Sequence, residues 1–375
     1  MKKLLFLGVP LMLMGTIAFT ANRGVDAKQA DFDAEKLTLR EENIRPNDYI
    51  AREPVGMDVI TMSGNGTESN PYIIKTAAHF AQMRYDLNAC YKLNNDINFN
   101  NAVIDPIPGT FQGKLYGNGK TLSKFKISRN YQTSTNSENL GLFQTIGNYG
   151  DIYNLTIKDS LVEAKEAANS YTLVYAGLIC GMNYGTIENI TCYRSRVNIE
   201  NKIALAGGIS GYSNAQIITC LLYGCKVFGS DVVGGITASA DNNSLTECCI
   251  VNEDRGFWPW EVTESQVKLV VKNANSSLCA GGIAGYCYGS AVIDSCYVKN
   301  TKFIVNGTLS NSPLMGYIAG HMNRGTIYYT QSFFTGNSKT NINSAYTTYY
   351  FANYNGHVGK AEGYPRVVER GYTVI

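Results

Sequence analysis

Charged residues and histidine are scarce in this chain of 375 residues, and each scarcity disfavours a class of function. Only 17% of the residues are charged and the net charge is +2, so the basic surface of a nucleic-acid-binding protein is absent. The three histidines (His79, His321 and His357) are scattered and no CxxC pair occurs. We therefore predict no metal site and no cofactor.

Long apolar runs are missing after the N-terminus, where residues 4–21 form the single extended one. No later stretch is long enough to span a bilayer. The glycine-rich segment 113–121 lacks the spacing of a phosphate-binding loop and any helical pattern after it. A membrane-spanning domain and a nucleotide site are thus both disfavoured.

Glycine and tyrosine are abundant, at 37 and 26 residues, and the glycines mark a repeat. Each copy opens with a glycine, a variable residue and an apolar residue. The copies start at Gly141, Gly177, Gly207, Gly234, Gly281 and Gly316. A second glycine follows in four of them, at Gly181, Gly211, Gly285 and Gly320, and Ala238 replaces it in the fourth copy. Because the starts lie 27 to 47 residues apart, the pattern is that of a repeat array.

A second signature follows each start by about ten to twelve residues: apolar, two residues, apolar, one residue, apolar. The copies are Ile152/Leu155/Ile157, Ile187/Ile190/Cys192, Ile217/Cys220/Leu222, Leu245/Cys248/Ile250, Ile293/Cys296/Val298 and a degraded Ile327/Thr330/Ser332. Apolar residues two apart share one face of a strand, whereas the three-residue step suits a corner. Asn154 and Asn189 stand at that step, where asparagine tolerates the left-handed conformation.

Short strands joined by tight corners, one repeat per coil, predict an all-β, right-handed parallel β-helix, a solenoid with a capping coil or helix at its N-terminus. We expect Ile187, Ile217, Leu245, Ile293 and Ile327 to stack in one interior column. The second fold considered is a leucine-rich-repeat solenoid, which shares the strand signature. It is disfavoured because the spacing is irregular and the rest of each unit is glycine-rich and β-branched.

The segment containing Gly282, Ile283, Gly285 and Tyr286, followed by 293–297, resembles the GLUG repeat of bacterial surface proteins. The resemblance covers about residues 140–334. It implies an adhesin-like β-solenoid and says little about activity.

The N-terminal sixty residues differ from the rest. Lys2 and Lys3 precede the apolar run, which Pro10 interrupts, and small residues offer a cut after Ala27. We predict a signal peptide over 1–27, with an uncleaved membrane anchor as the alternative, and a charged, flexible linker over 28–60.

The folded part is expected to have three regions. Residues 61–139 form an N-terminal cap, with a helix over 77–87 that Thr76 caps and that buries Phe80, Met83 and Leu87. Residues 140–336 form the solenoid. Residues 337–375, with a strand-like stretch at 346–351, form a C-terminal cap.

Ten cysteines in an exported chain raise the question of disulfides. Cys220, Cys248 and Cys296 occupy a slot that Leu155 and Ile190 fill in other copies. We therefore predict that these three are buried, reduced thiols that behave as small apolar residues.

Both tryptophans lie in the longest interval between repeats, beside Pro259, which cannot donate in a strand ladder. Phe257, Trp258 and Trp260 are the candidate ligand-binding residues, since exposed rings stack on sugars or anchor a protein. The alternative is that these rings only cover the flank of the solenoid.

The expected function is that of an exported, non-catalytic adhesion or structural protein of the cell surface or the medium, with an extracellular glycan or a surface protein as partner. The alternatives are a carbohydrate-active enzyme, either a polysaccharide lyase or a glycosidase, and a carbohydrate-binding module. A glycosidase needs two carboxylates on adjacent coils. Asp151, Glu188 and Asp294 come near one slot but are interrupted, so no catalytic residue is assigned.

Overall fold

Parallel strands, stacked coil upon coil, make up nearly all of the folded chain. The computed structural model describes residues 61–131, 137–166, 172–201, 203–255, 262–263, 265–270, 278–306, 314–333, 341–342, 358–362 and 366–368. Each coil passes through four sheets, here called I to IV, in a fixed order, and strands pair with their equivalents in the next coil. The predicted all-β parallel β-helix is confirmed.

Sheet I is the widest, because most coils cross it with two short strands separated by a corner. Its strands are Tyr72–Ile74, Cys90–Leu93, Ile97–Asn98, Lys114–Ser123, Asp151–Lys158, Thr186–Tyr193, Gln216–Ile218, Leu221–Tyr223, Leu245–Glu247, Ile250–Asn252, Val292–Asp294, Tyr297–Lys299, Thr326–Tyr328, Gln331–Phe333 and Arg366–Val368.

The other three sheets complete each coil. Sheet II contains Lys126–Tyr131, Leu161–Glu166, Arg196–Glu200, Lys226–Gly229, Ser265–Val270, Thr301–Asn306 and Asn341–Ile342. Sheet III contains Glu138–Leu140, Leu173–Ala176, Ile203–Gly207, Val232–Gly234, Cys279–Gly281 and Leu314–Gly316. Sheet IV contains Ile107–Phe111, Phe143–Ile146, Cys180–Asn183, Ser210–Ser213, Thr237–Ala240, Ala284–Tyr288, Ala319–Asn323 and Val358–Glu362.

The interior column of sheet I corrects one predicted position. The paired residues are Ile152, Ile187, Ile217, Thr246, Ile293 and Ile327, all buried. Leu245 pairs instead with Gln216 and Val292 on the outer face. The prediction is off by one residue in this coil because Leu245/Cys248/Ile250 and Thr246/Cys249/Val251 have the same spacing. The first set was chosen because it has a leucine where the second, buried set has a threonine.

The second interior column shows the same slip. It contains Leu155, Ile190, Cys220, Cys249, Cys296 and Thr330, all buried. Cys248 was predicted to be buried there, which is wrong, since it is exposed and has φ of +52°. It occupies the corner, where asparagine stands in two other coils. The corner residues Asn154, Asn189, Thr219, Cys248, Ser295 and Tyr329 all have positive φ.

The repeat glycines form the corner between sheets III and IV. A Cβ on Gly211 would lie 2.4 Å from the amide nitrogen of Ala176 in the preceding coil. Only glycine permits so close a backbone approach. The apolar residues after the first glycines, such as Ile209 and Ile283, point into the main core.

The capping helix is shorter than predicted. It covers Ala77–Gln82, and a 3-10 turn over Met83–Tyr85 follows. The Thr76 hydroxyl accepts the His79 amide at 3.2 Å, as expected of an N-cap. Asp86, which follows the 3-10 turn, has an extended backbone, and its carboxylate accepts the amide of Asn88 at 3.1 Å in an Asx turn.

Phe80 of this helix packs edge-on against Phe99 and Phe143, whose ring centroids lie 6.0 and 6.4 Å away. Phe80 and Met83 are buried, as predicted, and Leu87 is half-buried. The aromatic contacts fix the helix against the first coils. Strands also continue past residue 336, at Asn341–Ile342, Val358–Glu362 and Arg366–Val368, in parallel with the last coil.

The predicted signal peptide (1–27), the linker (28–60) and the strand-like stretch at 346–351 lie outside the described residues. Among those that are described, no helix has the length and apolar character needed to cross a membrane. All ten cysteines fall inside the described ranges, and all are free thiols.

Candidate functional site

The predicted aromatic site, Phe257, Trp258 and Trp260, lies outside the described residues. The two strands that flank it, Asp254–Arg255 and Val262–Thr263, pair antiparallel in a hairpin separate from sheets I to IV. The assignment of Phe257, Trp258 and Trp260 as a binding site stays a prediction.

The acidic residues compared in the sequence occupy two different outer columns of sheet I. Asp151 pairs with Thr186, two positions before Glu188. Asp294 pairs directly with Glu247, a residue that the slipped alignment overlooked. The structure therefore places two carboxylates in register on adjacent coils, the arrangement that the sequence did not reveal.

The Glu247–Asp294 pair lies on the outer face of the sheet, beside the corner that holds Cys248 and Ser295. The Ser295 hydroxyl donates to Asp294 Oδ1 at 2.9 Å. The salt bridges within the described part of the chain join other residues: Lys114–Glu68, Lys126–Glu163, Arg129–Asp105 and Arg194–Asp159. Both acids thus face outward without a cationic partner among the described side chains.

A concave surface forms where the outer faces of sheets III and IV turn towards each other. A second hydrophobic cluster, separate from the main core, joins Val232 and Cys279 of sheet III to Ala238 and Tyr286 of sheet IV. These outward-pointing side chains are buried although they lie outside the coil. The outer faces of sheets III and IV therefore meet in a concave angle, here called the groove, and these four side chains fill it in their part of the solenoid.

The open part of this groove is aromatic. Tyr175 of sheet III meets Tyr212 of sheet IV edge-on, with centroids 6.3 Å apart, and Tyr184 lies 5.8 Å from Tyr212 at 49°. All three rings are half-buried, and Leu205 and Met182 extend the surface. We call these five residues the tyrosine groove. The contacts of Tyr175 and Tyr184 with Tyr212 are edge-on or tilted.

Tyr212 is fixed by a carboxylate behind it. Its hydroxyl donates to Oδ2 of the buried Asp241 at 2.7 Å. Burial is the main cause that raises the pKa of the Tyr212 hydroxyl, and the hydrogen bond to Asp241 is the second, so the phenol stays protonated. Asp241 Oδ1 in turn accepts the Asn242 amide at 2.7 Å. The groove floor is thereby held rigid.

Other tyrosines stack along the outside of sheet I. Tyr116 and Tyr153 are nearly parallel, 5.9 Å apart, and Tyr193 and Tyr223 are 5.4 Å apart. Each ring covers a face of its neighbour, so these pairs present mainly edges and hydroxyls. They are better suited to stiffening the rod than to stacking on a ligand.

A small pocket of about 230 Å³ lies at the capping helix, lined by Phe80, Arg84, Phe99 and Ile104 among others. Asp105 at its rim is paired with Arg129 at 2.9 Å. Within the described residues no cluster of three or more histidine, cysteine or acidic side chains has the arrangement of a metal site. Burial raises the pKa of the Cys220 and Cys296 thiols, which makes them poor nucleophiles.

The groove tyrosines were missed in the sequence, although a signal for them was present. Tyr212 and Tyr286 both follow the second glycine of their repeat directly, and Tyr175 precedes the first glycine of its repeat by two. What the pattern does not encode is that sheets III and IV meet at a concave corner, which brings Tyr175 and Tyr212 together.

Sequence comparisons find partial relatives, and no protein-family model matches the chain. A protein of Evansella cellulosilytica, described as a candidate Gly-rich membrane protein, is 34% identical over 140 residues, covering 34% of this chain and 15% of that protein. Halomucin of Haloquadratum walsbyi is 30% identical over 105 residues, covering 28% of this chain and 1% of its own length. The chain thus spans only a small part of either relative.

Structural comparison finds the same type of fold. A Bacteroides ovatus protein described as a candidate immunoglobulin A1 protease superimposes with a TM-score of 0.51 and 20% identity, covering 82% of this chain and 86% of that one. A second structure, an IgA1 protease, gives a TM-score of 0.37 and 10% identity over 79% of this chain and 21% of its own. At these identities the first similarity shows the fold alone, and the second carries no argument.

Proposed function

We propose that this chain is an exported, non-catalytic repeat protein of the cell surface or the surrounding medium, and that it binds an extracellular glycan through the tyrosine groove. One observation carries the proposal: Tyr175, Tyr184 and Tyr212 lie together, half-buried, on the concave outer surface where sheets III and IV meet. Aromatic rings that are apolar on the face and polar at the tip suit sugar rings, which have the same two characters.

Export is supported by the charge and apolar pattern of residues 1–27 and by the resemblance of the repeats to GLUG repeats of surface proteins. The names of the partial relatives, a Gly-rich membrane protein and a halomucin, agree with a role outside the cytoplasm. A long solenoid offers extended surface for such a role. The loop with Phe257, Trp258 and Trp260 is a second stacking surface under this proposal.

A carbohydrate-active enzyme is the second candidate, favoured by the Glu247–Asp294 register alone. Two carboxylates on adjacent coils match the requirement of glycoside hydrolysis. The pair lies among outward-facing aliphatic side chains of sheet I, whereas the groove lies on sheets III and IV. Incubation of the full chain with a panel of polysaccharides tests this candidate, since turnover abolished by Glu247→Gln would favour the enzyme.

Glycan-array binding by the full chain tests the proposal. Tyr175→Ala with Tyr184→Ala should weaken binding about tenfold or more, since each ring contributes roughly 0.5–1.5 kcal/mol beyond burial. Tyr116→Ala with Tyr153→Ala, a stacked pair on sheet I, is the matched control and should leave binding unchanged. Equal binding by the groove variant and the wild type would contradict the groove assignment.

The loop is tested in parallel with Trp258→Ala and Trp260→Ala. Loss of glycan binding in this variant would make the loop part of the site. Unchanged binding with a lower melting temperature would show that the two tryptophans are structural.

A further inference from the structure

The outer face of sheet I changes character along the solenoid. In the column after the corner, three threonines are followed by apolar residues: Thr121, Thr156, Thr191, Leu221, Ile250 and Tyr297. In the column before it, polar residues again give way to apolar ones: Lys114, Asp151, Thr186, Gln216, Leu245 and Val292. The switch comes at Leu221 in the first column and one coil later, at Leu245, in the second. From the coil of Leu245 and Ile250 onward both columns are apolar, which builds one apolar patch on an otherwise polar face.

This patch is open to solvent. Leu221, Leu245, Ile250 and Val292 are each half-buried, and Tyr297 is 39% exposed. All of them alternate with fully buried neighbours, so their side chains point away from the core. Contiguous outward apolar groups of this kind mark interaction sites more often than scattered ones do.

The Glu247–Asp294 pair lies inside the patch, in the column between the two apolar ones. Like charges directly opposite each other on neighbouring strands destabilise a sheet. No described salt bridge relieves this repulsion. The arrangement costs stability in the isolated chain and would be relieved by an external cation placed between flanking apolar groups.

The geometry points to a protein partner here: a segment that presents a lysine or arginine flanked by aliphatic or aromatic side chains. We call Leu221, Leu245, Glu247, Ile250, Val292 and Asp294 the acidic–apolar face. Charge complementarity selects the cation, and the aliphatic rows select its apolar neighbours. This inference is independent of the proposed glycan site, which lies on sheets III and IV.

Other occupants fit the face less well. A second copy of this chain docked symmetrically on the same face would bring two acidic pairs together. An anionic lipid surface would be repelled by the two carboxylates. A glycan would find mainly aliphatic side chains, with Tyr297 as the one ring in these two columns.

Selection of a random linear peptide library against the full chain tests the inference, followed by affinity measurements on the enriched peptides. We expect enriched peptides to carry lysine or arginine next to leucine, isoleucine, phenylalanine or tyrosine. Glu247→Gln with Asp294→Asn should weaken their binding about tenfold, as expected for two exposed ion pairs, and should remove its salt dependence.

Two further variants keep the result interpretable. Leu221→Ser with Ile250→Ser should also weaken binding, whereas Asp151→Asn, a matched charge change on the same face but on a distant coil, should not. The amide variant should melt at the same temperature as the wild type or higher, because it removes repulsion. A loss of binding therefore does not report unfolding.

Four outcomes would overturn the inference. They are enrichment of peptides without basic residues, equal binding by the wild type and the amide variant, failure to enrich any peptide, and self-association of the chain that the amide variant abolishes. None of these outcomes bears on glycan binding by the groove, so the two proposals fail separately.

Discussion

The amide of Cys220 donates a hydrogen bond to the sulfur of Cys249, which occupies the same position in the next coil, at 3.4 Å. The Cys249 thiol in turn donates to the carbonyl of Glu247, two residues earlier, at 3.3 Å. The sulfur thus bridges the left-handed corner at Cys248 and links two coils. Thr330 does the same with a hydroxyl, accepting the Cys296 amide at 3.2 Å and donating to the Tyr328 carbonyl at 2.9 Å.

This geometry predicts the reactivity of the thiols. In the native chain a maleimide at about pH 8 should label Cys248 alone, because the other nine thiols are buried. After denaturation without reductant, all ten should be labelled. Mass spectrometry of the labelled peptides measures both. Disulfides among Cys220, Cys249 and Cys296, or a native Cys248 that resists labelling, would contradict the column assignment.

Thr246 provides a test of the register. It is fully buried in the isoleucine column, and its hydroxyl has no hydrogen-bond partner among the described residues. Thr246→Val should therefore raise the free energy of unfolding by about 1 kcal/mol, because it removes a buried unsatisfied polar group while keeping the shape. Leu245→Thr, on the outer face, is the control with a small effect. A lower melting temperature for Thr246→Val would show that the slipped register was right.

The corner at Asn189 predicts a difference between two substitutions. Asn189 has φ of +54°, and its amide group donates to the Asn154 side-chain oxygen at 2.9 Å. Asn189→Val should destabilise the fold by more than Asn189→Gly, by roughly 1–2 kcal/mol, the cost of a left-handed residue with a Cβ. Thermal melts of the two variants measure it. Equal melting temperatures would argue against a left-handed corner.

Glu138 predicts a pH dependence. Burial raises the pKa of its carboxyl above the ordinary value of 4.5, and the opposing pull of Arg129 is weaker. A raised native pKa means that the folded state binds the proton more tightly than the unfolded state does. Protonation of Glu138 therefore stabilises the fold at low pH, and this stabilisation is lost as pH rises through the native pKa. Glu138→Gln should therefore have the same melting temperature as the wild type near pH 4 and a higher one near pH 7. A variant that is less stable at neutral pH would contradict this sign.

The sequence predicted most of the fold because a β-helix repeats its local rules. Backbone geometry requires the glycines at the III–IV corner and favours the asparagines at the sheet I corner. These residue types can therefore be recognised in the sequence. The errors lie in the coil that contains residues 245–252. There the sets starting at Leu245 and at Thr246 have the same spacing, and Leu245 was chosen because it is more apolar than Thr246. Hydrophobicity alone cannot decide between neighbours when a buried slot accepts a threonine.

The site was harder to predict, since it depends on how sheets face one another. Glu247 was overlooked because the slip displaced it by one position, which hid its pairing with Asp294. Tyr175 and Tyr212 lie 37 residues apart and meet only because two sheets fold towards each other. Local sequence propensity determines neither the Glu247–Asp294 pairing nor the Tyr175–Tyr212 contact. Both depend on which residues lie next to each other in the folded coils.

Hydroxyl-radical footprinting of the full chain, with and without a glycan identified on the array, tests whether the tyrosine groove is the glycan site. Mass spectrometry then measures the oxidation of each tyrosine and tryptophan. If the glycan binds in the groove, it should protect Tyr175, Tyr184 and Tyr212 from oxidation, while the oxidation of Tyr116 and Tyr153 should stay unchanged. Protection confined to Trp258 and Trp260, or spread equally over both tyrosine sets, would contradict it.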